Sequence, residues 1–136
     1  MKAILLLLCL TVLNTSAQND KIYYSASAIY TRYFSKDDTK LLSTVPRGKG
    51  VELSYDTFFK IWIIRYIDEN GIKQPMKFTF LQKDEYNRDR MIDPYNNTYV
   101  FFNNINIDKT LFISVEKPLE DGKTIALEIT GIELKQ

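Results

Sequence analysis

Hydrophobic and polar residues alternate along this chain in short runs, and clusters of Asp, Asn, Gly and Pro cut the runs apart. A period of two sends successive side chains to opposite faces, so the rhythm predicts half-buried strands joined by tight turns. The clearest run is Ile105 to Val115. There Ile105, Ile107, Leu111, Ile113 and Val115 share one parity, while Asn106, Asp108, Thr110, Ser114 and Glu116 share the other. Toward the end, Ile125, Leu127 and Ile129 point inward, and the parity then switches to Ile132 and Leu134. A bulge at Gly131 accounts for the switch.

Four consecutive apolar residues, Ile61, Trp62, Ile63 and Ile64, predict a central strand covered on both faces. It runs into Asp68-Glu69-Asn70-Gly71, whose Asn-Gly tolerates positive φ, and then into Ile72 to Leu81, which together make a hairpin. Asp121-Gly122 predicts a second turn. Pro46 to Gly50 is expected to break the chain before Val51, Leu53 and Tyr55. Ile22 to Phe34 reads as one strand on its Tyr, Ser, Thr and Ile content. Lys83 to Pro94, with six charged residues between Lys83 and Arg90, reads as a loop or a single helical turn pinned by Met91 and Ile92. The expected fold is all-β, a single antiparallel meander forming a small barrel or a two-sheet sandwich.

The first residues depart from this rhythm. Lys2, an apolar run from Ala3 through Leu13, and the small polar stretch Asn14-Thr15-Ser16-Ala17 have the layout of an export signal cleaved after Ala17. A permanent anchor needs roughly 20 apolar residues, so no stable membrane insertion of the mature chain is expected. Residues 1–17 are therefore a signal peptide and 18–136 one β-rich domain, exported to the periplasm or secreted. The Lys-, Asn-, Ile- and Tyr-rich composition suits an AT-rich bacterial genome.

Without Lys2, the mature segment balances 17 basic residues against the 17 Asp and Glu of the chain. The two signs are interspersed, which argues against a polyanion binder, so no nucleic-acid partner is expected. Cys9, the sole cysteine, lies within the signal, leaving the mature domain without disulfides and dependent on burial.

The chain contains no histidine. With no mature cysteine either, the usual neutral-pH base, the thiol nucleophile and the commonest zinc ligands are all missing. Adjacent carboxylates such as Asp84-Glu85 point to opposite faces of a strand and do not converge as an acid and a base. Asp84, Asn87, Asp89 and Asp93 supply oxygens within one stretch, but their spacing matches no calcium loop. Gly48-Lys49-Gly50 precedes a strand rather than a helix and is a turn, not a phosphate loop. No catalytic residue, metal site or cofactor is assigned.

What remains is an excess of aromatic side chains, 18 in all. Phe58 and Phe59 are adjacent beside a turn, and Tyr23, Tyr24 and Trp62 complete the candidate binding set. These residues are expected to serve a non-catalytic binding or interaction module that holds a protein partner. The alternative is a carrier of a small apolar ligand in a barrel cavity. A carboxylate-based hydrolase is the weakest reading.

Overall fold

The computed structural model describes residues 20–37 and 39–135. The signal peptide expected over residues 1–17 lies outside the described residues. The rest is almost entirely β: β1 (Lys21–Ala26), β2 (Ala28–Phe34), β3 (Leu41–Asp56), β4 (Ile61–Ile67), β5 (Lys73–Lys83), β6 (Asp89–Ile92), β7 (Thr98–Asn104), one helical turn α1 (Ile105–Asp108), β8 (Thr110–Val115), β9 (Thr124–Thr130) and β10 (Glu133–Leu134).

Strands β2 to β9 pair in chain order, each antiparallel to the next, and β9 returns to pair with β2. The result is a closed eight-stranded antiparallel barrel, the meander that the alternating pattern predicts. Closure removes most sheet edges. Inside lie Ile29, Val51, Leu53, Trp62, Ile64 and Phe78, with Met91, Phe101, Leu111, Ile113 and Ile129 opposite them, all nearly inaccessible to solvent.

The first strand is bent. At Ser27 the run Ile22–Phe34 divides into β1, which pairs with the second half of β3, and β2, which pairs with its first half. The last strand bends beside it at Gly131 (φ 63°), and Ser27 N donates to Thr130 O at 2.9 Å. Gly131 thus ends β9, as the parity switch predicts, and Ile132 is buried. Leu134, expected inward, is exposed on the two-residue strand β10, which pairs with β1 alone.

Several other elements differ from the expectation. Pro46–Gly50 does not break the chain: β3 runs through it, absorbing the extra residues as bulges opposite β2 and β4. Ile61 and Ile63 are only half-buried, since a barrel covers a strand on its inner face alone. Lys83 to Pro94 contains a strand, β6, because Met91 is buried between Phe80 and Tyr99 in register. The single strand expected over Ile105 to Val115 is split. Ile105–Asp108 forms α1, Lys109 takes the left-handed conformation at its end (φ 62°), and Ile107 is 84% exposed. Alternation in Ile105 and Ile107 therefore mimicked strand parity across a helical turn.

Candidate functional site

Hairpin connections leave the barrel alternately at two ends. One end carries the β3–β4 turn, the β5–β6 turn and α1; the other carries the β2–β3, β4–β5, β6–β7 and β8–β9 connections.

At the first end, Asp56 folds the β3–β4 turn by accepting Phe58 N (3.0 Å) and Phe59 N (2.9 Å) on Oδ1. Lys60 closes the turn with φ 54° and accepts Phe80 N on its carbonyl. Thr57 donates from both N and Oγ1 to Asp20 O. This bonding fixes the backbone under two rings that remain in water: Phe58 is 68% and Phe59 62% exposed, packed edge-on at 4.8 Å and 88°. The pair takes no part in the core and leaves an exposed apolar surface at this end of the barrel.

Of the other residues singled out from the sequence, Tyr23 is half-exposed on the outer face of β1. Tyr24, its neighbour on the strand, faces the core and stacks on Trp62 at 6.0 Å. Trp62 is buried against Tyr55 at 4.7 Å. Trp62 and Tyr24 are thus core residues, and the exposed set contracts to Phe58, Phe59 and Tyr23. Two residues missed in the sequence, Tyr86 in the β5–β6 turn and Ile107 in α1, are exposed at the same end as the phenylalanines.

A repeated turn explains Tyr86. In Asp68–Ile72, Asp84–Arg88 and Asp93–Asn97, the Asp Oδ1 accepts the N–H groups two and four residues on. The fourth residue of each, Gly71, Asn87 or Asn96, has positive φ. The signal is Asp-x-x-Gly/Asn between two strands, and its middle positions point outward. These carboxylates are committed to the turns. The Gln74 amide and turn N–H groups hold Asp68 below the usual carboxylate range. For Asp84, partial desolvation pushes upward, but the Arg88 N–H and guanidinium outweigh it. No group of three or more His, Cys, Asp or Glu able to hold a metal ion occurs among the described residues.

At the second end the barrel wall opens. Strand β5 pairs with β6 only from Thr79 onward, so Lys73–Phe78 has β4 on one side and no strand on the other. Beside this edge is a cleft of about 420 Å³. Its inner wall is Met76, Phe78, Tyr99 and Leu127, and its outer wall is Ile63, Arg65, Pro75 and Lys77. The Asp93-Pro94-Tyr95 turn forms the facing lip. Tyr99 Oη donates to Asp93 Oδ2 at 2.7 Å, joining that lip to the wall. Burial, reinforced by the Asp93 carboxylate, pushes the Tyr99 phenol up, so it stays protonated as a donor.

The architecture is that of an up-and-down antiparallel β-barrel with an aromatic tip at one end and a lateral cleft at the other. Compared with known families, characterised proteins and solved structures, the chain matches none. No helix among the described residues is long and apolar enough to cross a membrane.

Proposed function

We propose that the chain is an exported, non-catalytic binding module that engages a protein partner through the Phe58–Phe59 end of the barrel. The observation that carries this reading is the exposed phenylalanine pair on a turn whose backbone is held by Asp56. Such a pair is ordered before binding, so little conformational entropy is lost when a partner covers it, and buried aromatic anchors dominate interface energetics. Tyr86 and Ile107 extend the apolar surface at that end. A non-catalytic role is supported by the carboxylates of Asp68, Asp84 and Asp93. They are held below the usual range, the reverse of a general acid.

The test replaces Phe58 with a photo-crosslinking phenylalanine analogue in the cells that export the protein. One discrete crosslinked protein, lost when Phe59 is also changed to Ser while the melting temperature stays put, is the expected result. Crosslinking spread over many proteins, or none, overturns the reading.

A second reading, a carrier of a small apolar ligand, is favoured by the cleft at the opposite end, whose volume falls within the range of ligand sites. Comparison of native and denatured masses decides it: an excess mass released on denaturation supports a carrier, and identical masses count against one.

A further inference from the structure

The cleft beside β5 has a property that a small-ligand pocket does not need. Its walls come from both parities of the same strands: Met76 and Phe78 from the inner face, Pro75 and Lys77 from the outer face. Both faces can border one cleft only where the strand's edge is open. The hydrogen bonding of that edge follows from its neighbours. Asp68 N donates to Ile72 O, and Phe80 N donates to Lys60 O. Between these two fixed points an antiparallel ladder alternates, so Gln74, Met76 and Phe78 exchange their backbone bonds with β4. The backbone groups of Lys73, Pro75 and Lys77 therefore face away from β4. No backbone bond to them is present from any described residue. Pro75 fits this arrangement, because a proline is tolerated where its missing N–H would point to an open edge.

Charge singles out the occupant. Lys73 and Lys77 lie on the outer face of β5, and Arg65 lies beside Pro75 in register. None of the three forms an ion pair among the described residues. Glu52, opposite Arg65 in register, is bonded by Lys135 Nζ at 3.1 Å, and Lys73 and Arg65 add only weaker charge attraction to it. On the inner side the cleft offers Met76, Phe78 and Leu127. The lip carboxylate Asp93 already accepts from Tyr99 and Asn97.

We propose that the open edge of β5 accepts an extended segment of a partner protein as an added antiparallel strand. Six residues of that segment, about 20 Å, lie along Lys73–Phe78. Its acidic side chains sit over Lys73, Lys77 and Arg65, and its apolar side chains alternate with them into the mouth of the barrel. Main-chain bonds supply affinity, and the alternation supplies specificity. This site is at the opposite end from Phe58 and Phe59 and stands or falls separately from them.

The experiment titrates the purified chain into a fluorescein-labelled peptide, acetyl-Glu-Val-Glu-Leu-Glu-Val-Glu-amide, and follows anisotropy. In an antiparallel pair, residues that bond to Lys73 and Lys77 share their face, so the glutamate N–H groups are the ones that point at β5. N-methylation at the glutamates is expected to weaken binding at least about tenfold, while N-methylation at the Val and Leu residues leaves it unchanged. Lys77→Glu weakens binding by about tenfold and improves binding of the matching Lys-Val-Lys-Leu-Lys-Val-Lys peptide. Phe58→Ala has no effect. The proposal is overturned if no saturable binding occurs up to about 1 mM, if the two N-methylated peptides bind alike, or if Lys77→Glu changes nothing.

Discussion

Tyr99 donates its hydroxyl to Asp93 Oδ2 at 2.7 Å, and through this one bond strand β7 holds the turn that forms the lip of the cleft. Asp93 has other donors in Tyr95 N, Asn97 N and Asn97 Nδ2, so the turn does not depend on Tyr99 alone. Tyr99→Phe is therefore expected to cost only about 1 kcal/mol in urea unfolding, the net worth of a single hydrogen bond, while preserving the barrel. A loss several times larger would mean that the hydroxyl positions more than this turn.

The same pair sets part of the pH profile. Partial burial pushes Asp93 up, but the Tyr99 hydroxyl, Asn97 and the turn N–H groups together hold it below the ordinary range, and Asp68 is lowered in the same sense. A depressed folded pKa contributes stability that is present above the unfolded value near 4 and is lost as pH falls through the folded value. Tyr99 and Tyr55 are raised, first by burial, so their contribution is present below about 10 and is lost as pH rises further. With no histidine in the chain, the melting temperature should form a plateau across neutral pH and fall on both sides. Asp93→Asn should flatten the acid limb; a profile unchanged by that substitution would dissociate Asp93 from acid unfolding.

How far the sequence reveals this molecule depends on which residues report on a barrel and which imitate its pattern. Alternation in β8 and β9 exposed the inner face because each inward residue, such as Leu111 or Ile129, meets the core. It misled at Ile105 and Ile107, where two isoleucines separated by one residue fit a helical turn and a strand equally well. An unbroken apolar run misled at Ile61 and Ile63, whose apolar character suggested a second covering layer. Exposure of at least one of Phe58 and Phe59 was legible because two adjacent aromatics next to a turn do not both face inward; the turn held by Asp56 exposes both. Burial of Trp62 followed from the covered strand expected over Ile61–Ile64, at odds with its place in the binding set, whereas nothing local shows which of the neighbours Tyr23 and Tyr24 takes the interior. The open edge of β5 was invisible, because it arises from where β6 ends rather than from any residue in β5 except Pro75.

Opposite parities of β4 supply a direct check on the barrel. Ile64 is fully buried, while Ile63 is only half-buried on the outer wall. Ile64→Ala should cost about 2–5 kcal/mol through lost burial and a cavity, and Ile63→Ala under about 1 kcal/mol. Equal losses in chemical denaturation would contradict the inner and outer assignment.

The paired bends at Ser27 and Gly131 leave no room for a side chain. A Cβ on Gly131 would lie 2.7 Å from Ser27 Cβ, and the residue holds φ at 63°, which an L side chain rarely adopts. Gly131→Ala is expected to destabilise by about 1–3 kcal/mol from overpacking and backbone strain. Ser27→Gly removes both contacting side-chain atoms, so adding it should recover the steric part of the loss and not the conformational part. No recovery in the double variant would mean that φ alone sets the cost.

Strand β3 presents a second open edge, and here the side chains predict self-association. Leu41–Arg47 pairs with β2 on one side, while β4 begins its pairing with β3 only at Lys49. Leu41, Leu42 and Val45 are each more than 40% exposed, and no charged residue occurs before Arg47. An uncharged, apolar strand edge is a template for pairing with another chain, and Pro46 with its adjacent bulge interrupts it at one end only. Val45→Lys adds the charge that natural edges use for protection. It should lower the light scattering of concentrated solutions while leaving the melting temperature nearly unchanged, because the side chain it replaces already meets water. Val45→Ile should act in the opposite direction. If neither substitution alters scattering, Pro46 and the bulge already suffice to keep this edge closed to other chains.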